Sequence, residues 1–150
     1  MEAALRTVYE VVTDSELENI DFHDVRGIEG CKEAEVDING TVVKVAVTNG
    51  LKNARQLLER IVSGEADYHF VEIMACPGGC IGGGGQPIPT DTEIRLKRIS
   101  AIYDEDKNMP IRKSHLNPQV QELYKEFLGK PLGEKSHELL HTHYTPRSKV

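Results

Sequence analysis

Two cysteines, Cys76 and Cys80, stand four residues apart in the segment Glu72-Ile73-Met74-Ala75-Cys76-Pro77-Gly78-Gly79-Cys80-Ile81-Gly82-Gly83-Gly84-Gly85-Gln86-Pro87. Thiolates are the standard protein ligands of iron–sulfur clusters. Two of them at this spacing can reach one cluster if the chain between them forms a helical turn, with Pro77 at its first position. Free N–H groups of that turn would face the sulfurs and stabilise their charge. Gly78 and Gly79 lack a Cβ and let the backbone approach a bulky inorganic group. A Cys-x3-Cys pair alone has other uses. Zinc is one, with half of its tetrahedral shell unfilled. A phosphate cradle is another, although the loop lacks the Lys-Ser/Thr ending of a P-loop.

The other candidate ligands are scattered. Cys31 lies in Gly30-Cys31-Lys32-Glu33-Ala34 and reads as a small buried hydrophobe. His137, His141 and His143 have workable zinc spacing, but also suit capping of a last helix. His115 reads as a turn residue. Glu72 is a lone carboxylate beside the cysteine loop, a candidate proton relay. Glu16, Glu18 and Asp21 read as a solvated acidic stretch.

The elements that must position the loop follow from hydrophobic spacing. Leu5, Val8, Tyr9 and Val12 give a helical stripe. Val36 and Ile38, then Asn39-Gly40, then Val43, Val45 and Val47 predict a β-hairpin. Asn49 offers a cap for a helix with Leu51, Ala54, Leu57, Leu58, Ile61 and Val62 on its apolar face, closed by Gly64. A β-rich run from Tyr68 to Met74 completes a β-α-β unit and delivers the chain to Cys76. Beyond Gln86-Pro87-Ile88-Pro89 come a charged helix over 92–106, a helix opened by Asn117-Pro118 and ended by Gly129, and a short helix over 135–140. The expected fold is α/β: a small mixed sheet with a β-α-β unit and flanking helices, then a helical carboxyl-terminal extension. The boundary falls near residue 90, giving segments 1–90 and 91–150.

The 150 residues include 18 Lys+Arg and 24 Asp+Glu, a net charge of -6. That balance argues against a nucleic-acid or anionic-membrane surface. No apolar run approaches the ~20 residues that span a bilayer. The opening residues lack the apolar core of a secretory signal. Three cysteines, an odd count, suit metal or redox chemistry in a reducing compartment, and the cytoplasm is expected.

The sixteen-residue segment resembles the third signature of FeFe (iron-only) hydrogenases, Glu-x-Met-Ala-Cys-x-Gly-Gly-Cys-x-x-Gly-Gly-Gly-Gln-Pro. The likeness extends to the opening Met1-Glu2-Ala3-Ala4-Leu5-Arg6-Thr7, which is similar to a helix inside the family's catalytic domain. The tail, with Arg112-Lys113-Ser114-His115, Asn117-Pro118, Leu123-Tyr124 and His141-Thr142-His143-Tyr144, resembles the family's small-subunit module. The resemblance implies part of an enzyme that interconverts hydrogen with protons and electrons at an H-cluster, a 4Fe–4S cluster joined to a two-iron subsite. It implies Cys76 as a ligand of the 4Fe–4S part, Cys80 as the bridging ligand, and Met74 packed against the two-iron subsite. The implied partners are the remainder of the catalytic domain and ferredoxin or NAD(P)-linked electron-transfer subunits. Two further family signatures, Thr-Ser-Cys-Cys-Pro and Met-Pro-Cys, do not occur, so the expectation is a fragment that begins inside the catalytic domain and is inactive alone. The alternative is a non-catalytic relative of the hydrogenase-like iron–sulfur assembly factors, or an interaction subunit completed by a partner.

Overall fold

The computed structural model describes residues 1–146. The chain packs as two compact units, Met1–Arg112 and a second that begins at Lys113. In the first, helix α1 (Glu2–Thr13) precedes a hairpin of β1 (Cys31–Ile38) and β2 (Thr41–Asn49). Asn39 and Gly40 both take positive φ, 55° and 82°, as a two-residue hairpin turn requires. Helix α2 (Leu51–Val62) then returns the chain to β3 (Phe70–Met74), and α3 (Thr92–Asn108) follows the cysteine loop. The sheet order is β1-β2-β3, with β1 antiparallel and β3 parallel to β2. This is the mixed α/β arrangement that the spacing predicts.

The central strand carries the core. Val45, Ala46, Val47, Thr48 and Asn49 are all buried. Leu5 of α1 and Val25 join Val45 and Val47 in one cluster, with Phe22, Val36, Val43 and Met74 packed around it. Helix α1 shows its predicted stripe unevenly, since Leu5 is buried while Val8 and Val12 are exposed. Helix α2 buries only Ala54 and Leu57; Leu51, Leu58 and Val62 of its predicted apolar face lie open.

Three expectations are corrected. Asn49 does not cap α2: it is the last residue of β2, and Gly50 holds the cap position without a side-chain bond. Cys31 is exposed at the start of β1, because strand alternation turns its neighbour Lys32 inward instead. Asp21 is not simply solvated: its carboxylate accepts from Arg26 and Arg112, both at 2.6–2.7 Å.

The second unit contains α4 (Pro118–Leu123), continued by a π-helical turn over Tyr124–Leu128, and α5 (Glu134–Leu140). Asn117 caps α4 through its side chain, accepting from the Gln119 N–H at 2.9 Å, with Pro118 next in line as predicted. The His137 and His141 rings stack at 4.2 Å, with the His143 ring 6.1 Å from that of His137.

Candidate iron–sulfur site

Strands β2 and β3 end side by side, with Asn49 opposite Met74, and the cysteine loop starts just beyond them. This is the carboxyl end of a parallel pair, where open α/β sheets place their ligands. Asn49 ties the loop to the sheet. Its Nδ2 donates to the Glu29 carbonyl at 2.6 Å, and its Oδ1 accepts from the Gly78 N–H at 2.7 Å. Beside it the Gly50 N–H donates to the Met74 carbonyl. Sequence reasoning named Asn49 only as a helix cap, because nothing local reveals a bond across 29 residues.

The loop itself is not the helical turn expected between the cysteines. The Gly79 N–H donates to the Cys76 carbonyl at 2.9 Å, closing a tight turn with Pro77 and Gly78 at its corner. Gly78 and Gly79 have φ of 80° and 83°. Two successive left-handed residues cannot continue a right-handed helix, and the first of them matches the type II turn that Pro-Gly favours. Only after Cys80 does a short 3-10 turn form, over Cys80–Gly82. The Gly78 and Gly79 N–H groups are therefore engaged with Asn49 and Cys76, not aimed as a pair at the sulfurs.

Helix α3 fastens the far side of the loop. One terminal nitrogen of Arg98 donates to the Ile81 carbonyl at 2.8 Å and to the Thr90 hydroxyl at 3.2 Å, and the other donates to the Pro87 carbonyl at 2.7 Å. The sequence marked this segment only as a charged helix.

A cavity of about 370 Å³ opens beside the loop, with Met74, Gly78, Gly79 and Cys80 in its wall. The approach is close: a Cβ at Gly79 would stand 2.8 Å from Met74 Sδ. Cys76 is not a wall residue of this cavity; its sulfur lies near Gly83, 3.3 Å from where a Cβ would stand there. The structure thus brings Cys80, Met74, Gly78 and Gly79 together and sets Cys76 on a neighbouring face of the same loop. Lys32 and Glu72 also border the cavity, in one row across the sheet through Val47. Burial lowers the pKa of the Lys32 ammonium, which donates to the Gly27 carbonyl at 2.8 Å. Glu72 pairs with the amino group of Met1 at 2.6 Å. Cys31 takes no part: local desolvation first, then the Glu33 carboxylate, raise its thiol pKa, away from the thiolate a metal needs.

The carboxyl-terminal domain model of the iron-only hydrogenase large subunit matches residues 1–84. The chain belongs to the iron-only hydrogenases. The iron hydrogenase small-subunit model matches residues 92–147. Among curated relatives, the NADP-reducing hydrogenase subunit HndD of Solidesulfovibrio fructosivorans is 52% identical over the whole chain, which spans 26% of that protein. A probable cytosolic Fe-S cluster assembly factor of Drosophila willistoni is 35% identical over 98% of the chain and 30% of its own length. Among solved structures, apo FeFe-hydrogenase HydA1 of Chlamydomonas reinhardtii matches with a TM-score of 0.77 at 44% identity, over 96% of this chain and 43% of that one. The chain therefore spans about a quarter of the length of the curated hydrogenase it matches.

An iron-only hydrogenase site calls for iron–sulfur cofactors held by thiolates. The glycine cradle at Met74 and the soft Cys80 thiol fit one wall of such a site, with Cys76 on the same loop. They do not close it, because the third cysteine of the sequence is out on β1 and a four-iron cluster takes four thiolates.

Proposed function

We propose that this chain supplies one wall of the hydrogen-activating site of an iron-only hydrogenase, with Cys76 and Cys80 as two of the cluster thiolates and Met74 packed beside Cys80. The observation that carries the reading is the family's sixteen-residue segment folded so that Cys80 and Met74 share a cavity wall cleared by Gly79. When bound, the H-cluster, a 4Fe–4S cluster joined to a two-iron subsite, supplies the open iron coordination at which hydrogen and protons interconvert. The chain's own residues hold and shape that site. Asn49 and Arg98 fix the two ends of the loop, and Gly78 and Gly79 let Arg95 and Met74 lie against its backbone.

The remaining thiolates come, in this reading, from the rest of a catalytic domain. Segment 1–90 is the carboxyl-terminal lobe of that domain and 91–150 the small-subunit extension, consistent with family matches over 1–84 and 92–147. Electron partners are ferredoxin or NAD(P)-linked subunits, the second supported by the printed name of the Solidesulfovibrio relative. The compartment we propose is the cytoplasm, where unpaired cysteines persist. Among the described residues no helix is long and apolar enough to cross a membrane.

The test is co-production of this chain with a polypeptide carrying the other two signatures, followed by iron analysis and hydrogen evolution from a reduced mediator. Hydrogen evolution is expected only for the pair, and Cys80→Ala is expected to abolish it. Hydrogen evolution that survives Cys80→Ala overturns the reading. The likeness to the Drosophila assembly factor supports a second reading, an iron–sulfur protein without hydrogen chemistry. A loaded pair that holds iron but evolves no hydrogen would decide for it.

A further inference from the structure

Arg95 and Arg98 stand three residues apart on α3, and both reach the cysteine loop. Their guanidinium groups end differently. Arg98 places its terminal donors on Ile81, Thr90 and Pro87. Arg95 keeps an Nε that is sealed from solvent and has no acceptor, and it is the one side-chain nitrogen or oxygen in that condition among the described residues. The side chain lies along the loop glycines. Its Cδ is 3.1 Å from the Cβ position of Gly78, and its Nε is 3.0 Å from that of Gly82. Those two glycines bracket Cys80.

A buried donor without a partner costs about 1–3 kcal/mol, and native structures leave few of them. A guanidinium also stays charged at every accessible pH. A buried donor on a cationic side chain, held without an acceptor against a loop with two thiol ligands, suits an acceptor that arrives with the cofactor. Resting on the function proposed above, we infer that Arg95 is a positioning residue for the iron–sulfur group on Cys76 and Cys80: it donates Nε–H to a sulfur of that group and balances part of its negative charge. Groups one step outside the ligands set cluster potential and affinity through charge and hydrogen bonds to sulfur. Reduction adds negative charge, so a cation here raises the reduction potential.

The test uses the full chain and a synthetic four-iron, four-sulfide cluster capped by small thiolates, two of which the chain's cysteines displace. Uptake is read by the charge-transfer absorption, midpoint potential by redox titration, and iron loss by a chelator. The wild-type chain is expected to take the cluster, and the Cys76→Ala/Cys80→Ala chain to refuse it. Arg95→Met is expected to move the midpoint to a more negative potential and to speed iron loss about tenfold. Arg95→Lys, which keeps the charge, is expected to recover most of the potential. Arg95→Gln carries the same comparison should Arg95→Met not fold, as judged by circular dichroism. A merely structural Arg95 would change stability and leave the potential alone; an unchanged midpoint in a folded neutral variant therefore overturns this inference and leaves the proposed function standing. A chain that takes no cluster, or takes it equally without Cys76 and Cys80, overturns both.

Discussion

Asn49 shows how a single amide can decide the shape of a loop. Its two ends are engaged in opposite senses, donor to Glu29 and acceptor for Gly78, in a position only 4% exposed. Asn49→Ala leaves a half-buried carbonyl and a half-buried N–H unmet, each at up to about 1–3 kcal/mol before water re-enters. We expect a loss of about 2 kcal/mol in urea unfolding, with hydrogen exchange at the Gly78 amide accelerated; a loss below about 0.5 kcal/mol would refute the role. Gly79 poses a different problem, since a side chain there meets both an unfavourable φ of 83° and the Met74 sulfur. Gly40 has a similar φ, 82°, but nothing near its Cβ position. Gly40→Ala therefore measures the backbone cost alone, about 1 kcal/mol. Gly79→Ala is expected to cost more, because its ψ of -157° lies in a region almost reserved for glycine and because it meets Met74, and only the second part is expected to be recovered when Met74 is also shortened to Ala. A Gly79→Ala cost that is unchanged in the Met74→Ala background would mean that Met74 does not press on the loop.

At the scale of elements, α3 is a clamp on the loop that the β2–β3 ends present. Arg98 spans the Ile81 and Pro87 carbonyls with a planar fork, a geometry that a lysine cannot copy. Arg98→Ala and Arg98→Lys should both loosen residues 81–90, seen as faster exchange and proteolytic cleavage there, with α2 protection unchanged. A lysine variant that is fully protected would show that charge, not the fork, holds the clamp. Elements whose cause is local were readable in the sequence: the Asn39-Gly40 turn sets its own φ values, and Asn117-Pro118 caps its own helix. Contacts whose cause is distant were not. The Asn49 cap reading failed because β2 runs on to residue 49 and a bond 29 residues away claims the side chain. The helical-turn reading of the cysteine pair failed because two glycines in a row took the left-handed region. Cys31 was misplaced because a one-residue phase of strand alternation separates a buried position from an exposed one.

Across the first unit, ionic ties join segments up to a hundred residues apart. Arg6, 3% exposed, donates to both carboxylate oxygens of Asp106, one hundred residues away, and to Glu2. Arg112 joins Asp106 to Asp21, and Arg26 joins Asp21 to Glu2. Three guanidinium groups thus meet three carboxylates, so α1, the segment before β1 and the end of α3 are linked through a charge-balanced network. Breaking one partner of such a set leaves a charge unmatched in a half-buried place, which costs more than a surface pair would. The network also predicts how the chain responds to acid. The Arg6 guanidinium, and then Arg112, hold the Asp106 carboxyl down to about 2, and Arg112 with Arg26 lowers Asp21. A depressed carboxyl binds fewer protons folded than unfolded, so stability rises with pH through that window. The contribution is complete above the ordinary carboxylate range, roughly pH 4 to 5, and drains as the pH falls towards about 2. Urea midpoints between pH 6 and pH 2.5 should therefore fall, and the fall should shrink in Asp106→Asn, which has already lost the charge. Parallel pH profiles for the wild-type and Asp106→Asn chains would show that acid acts elsewhere and that the Arg6–Asp106 link does not hold α1 to α3.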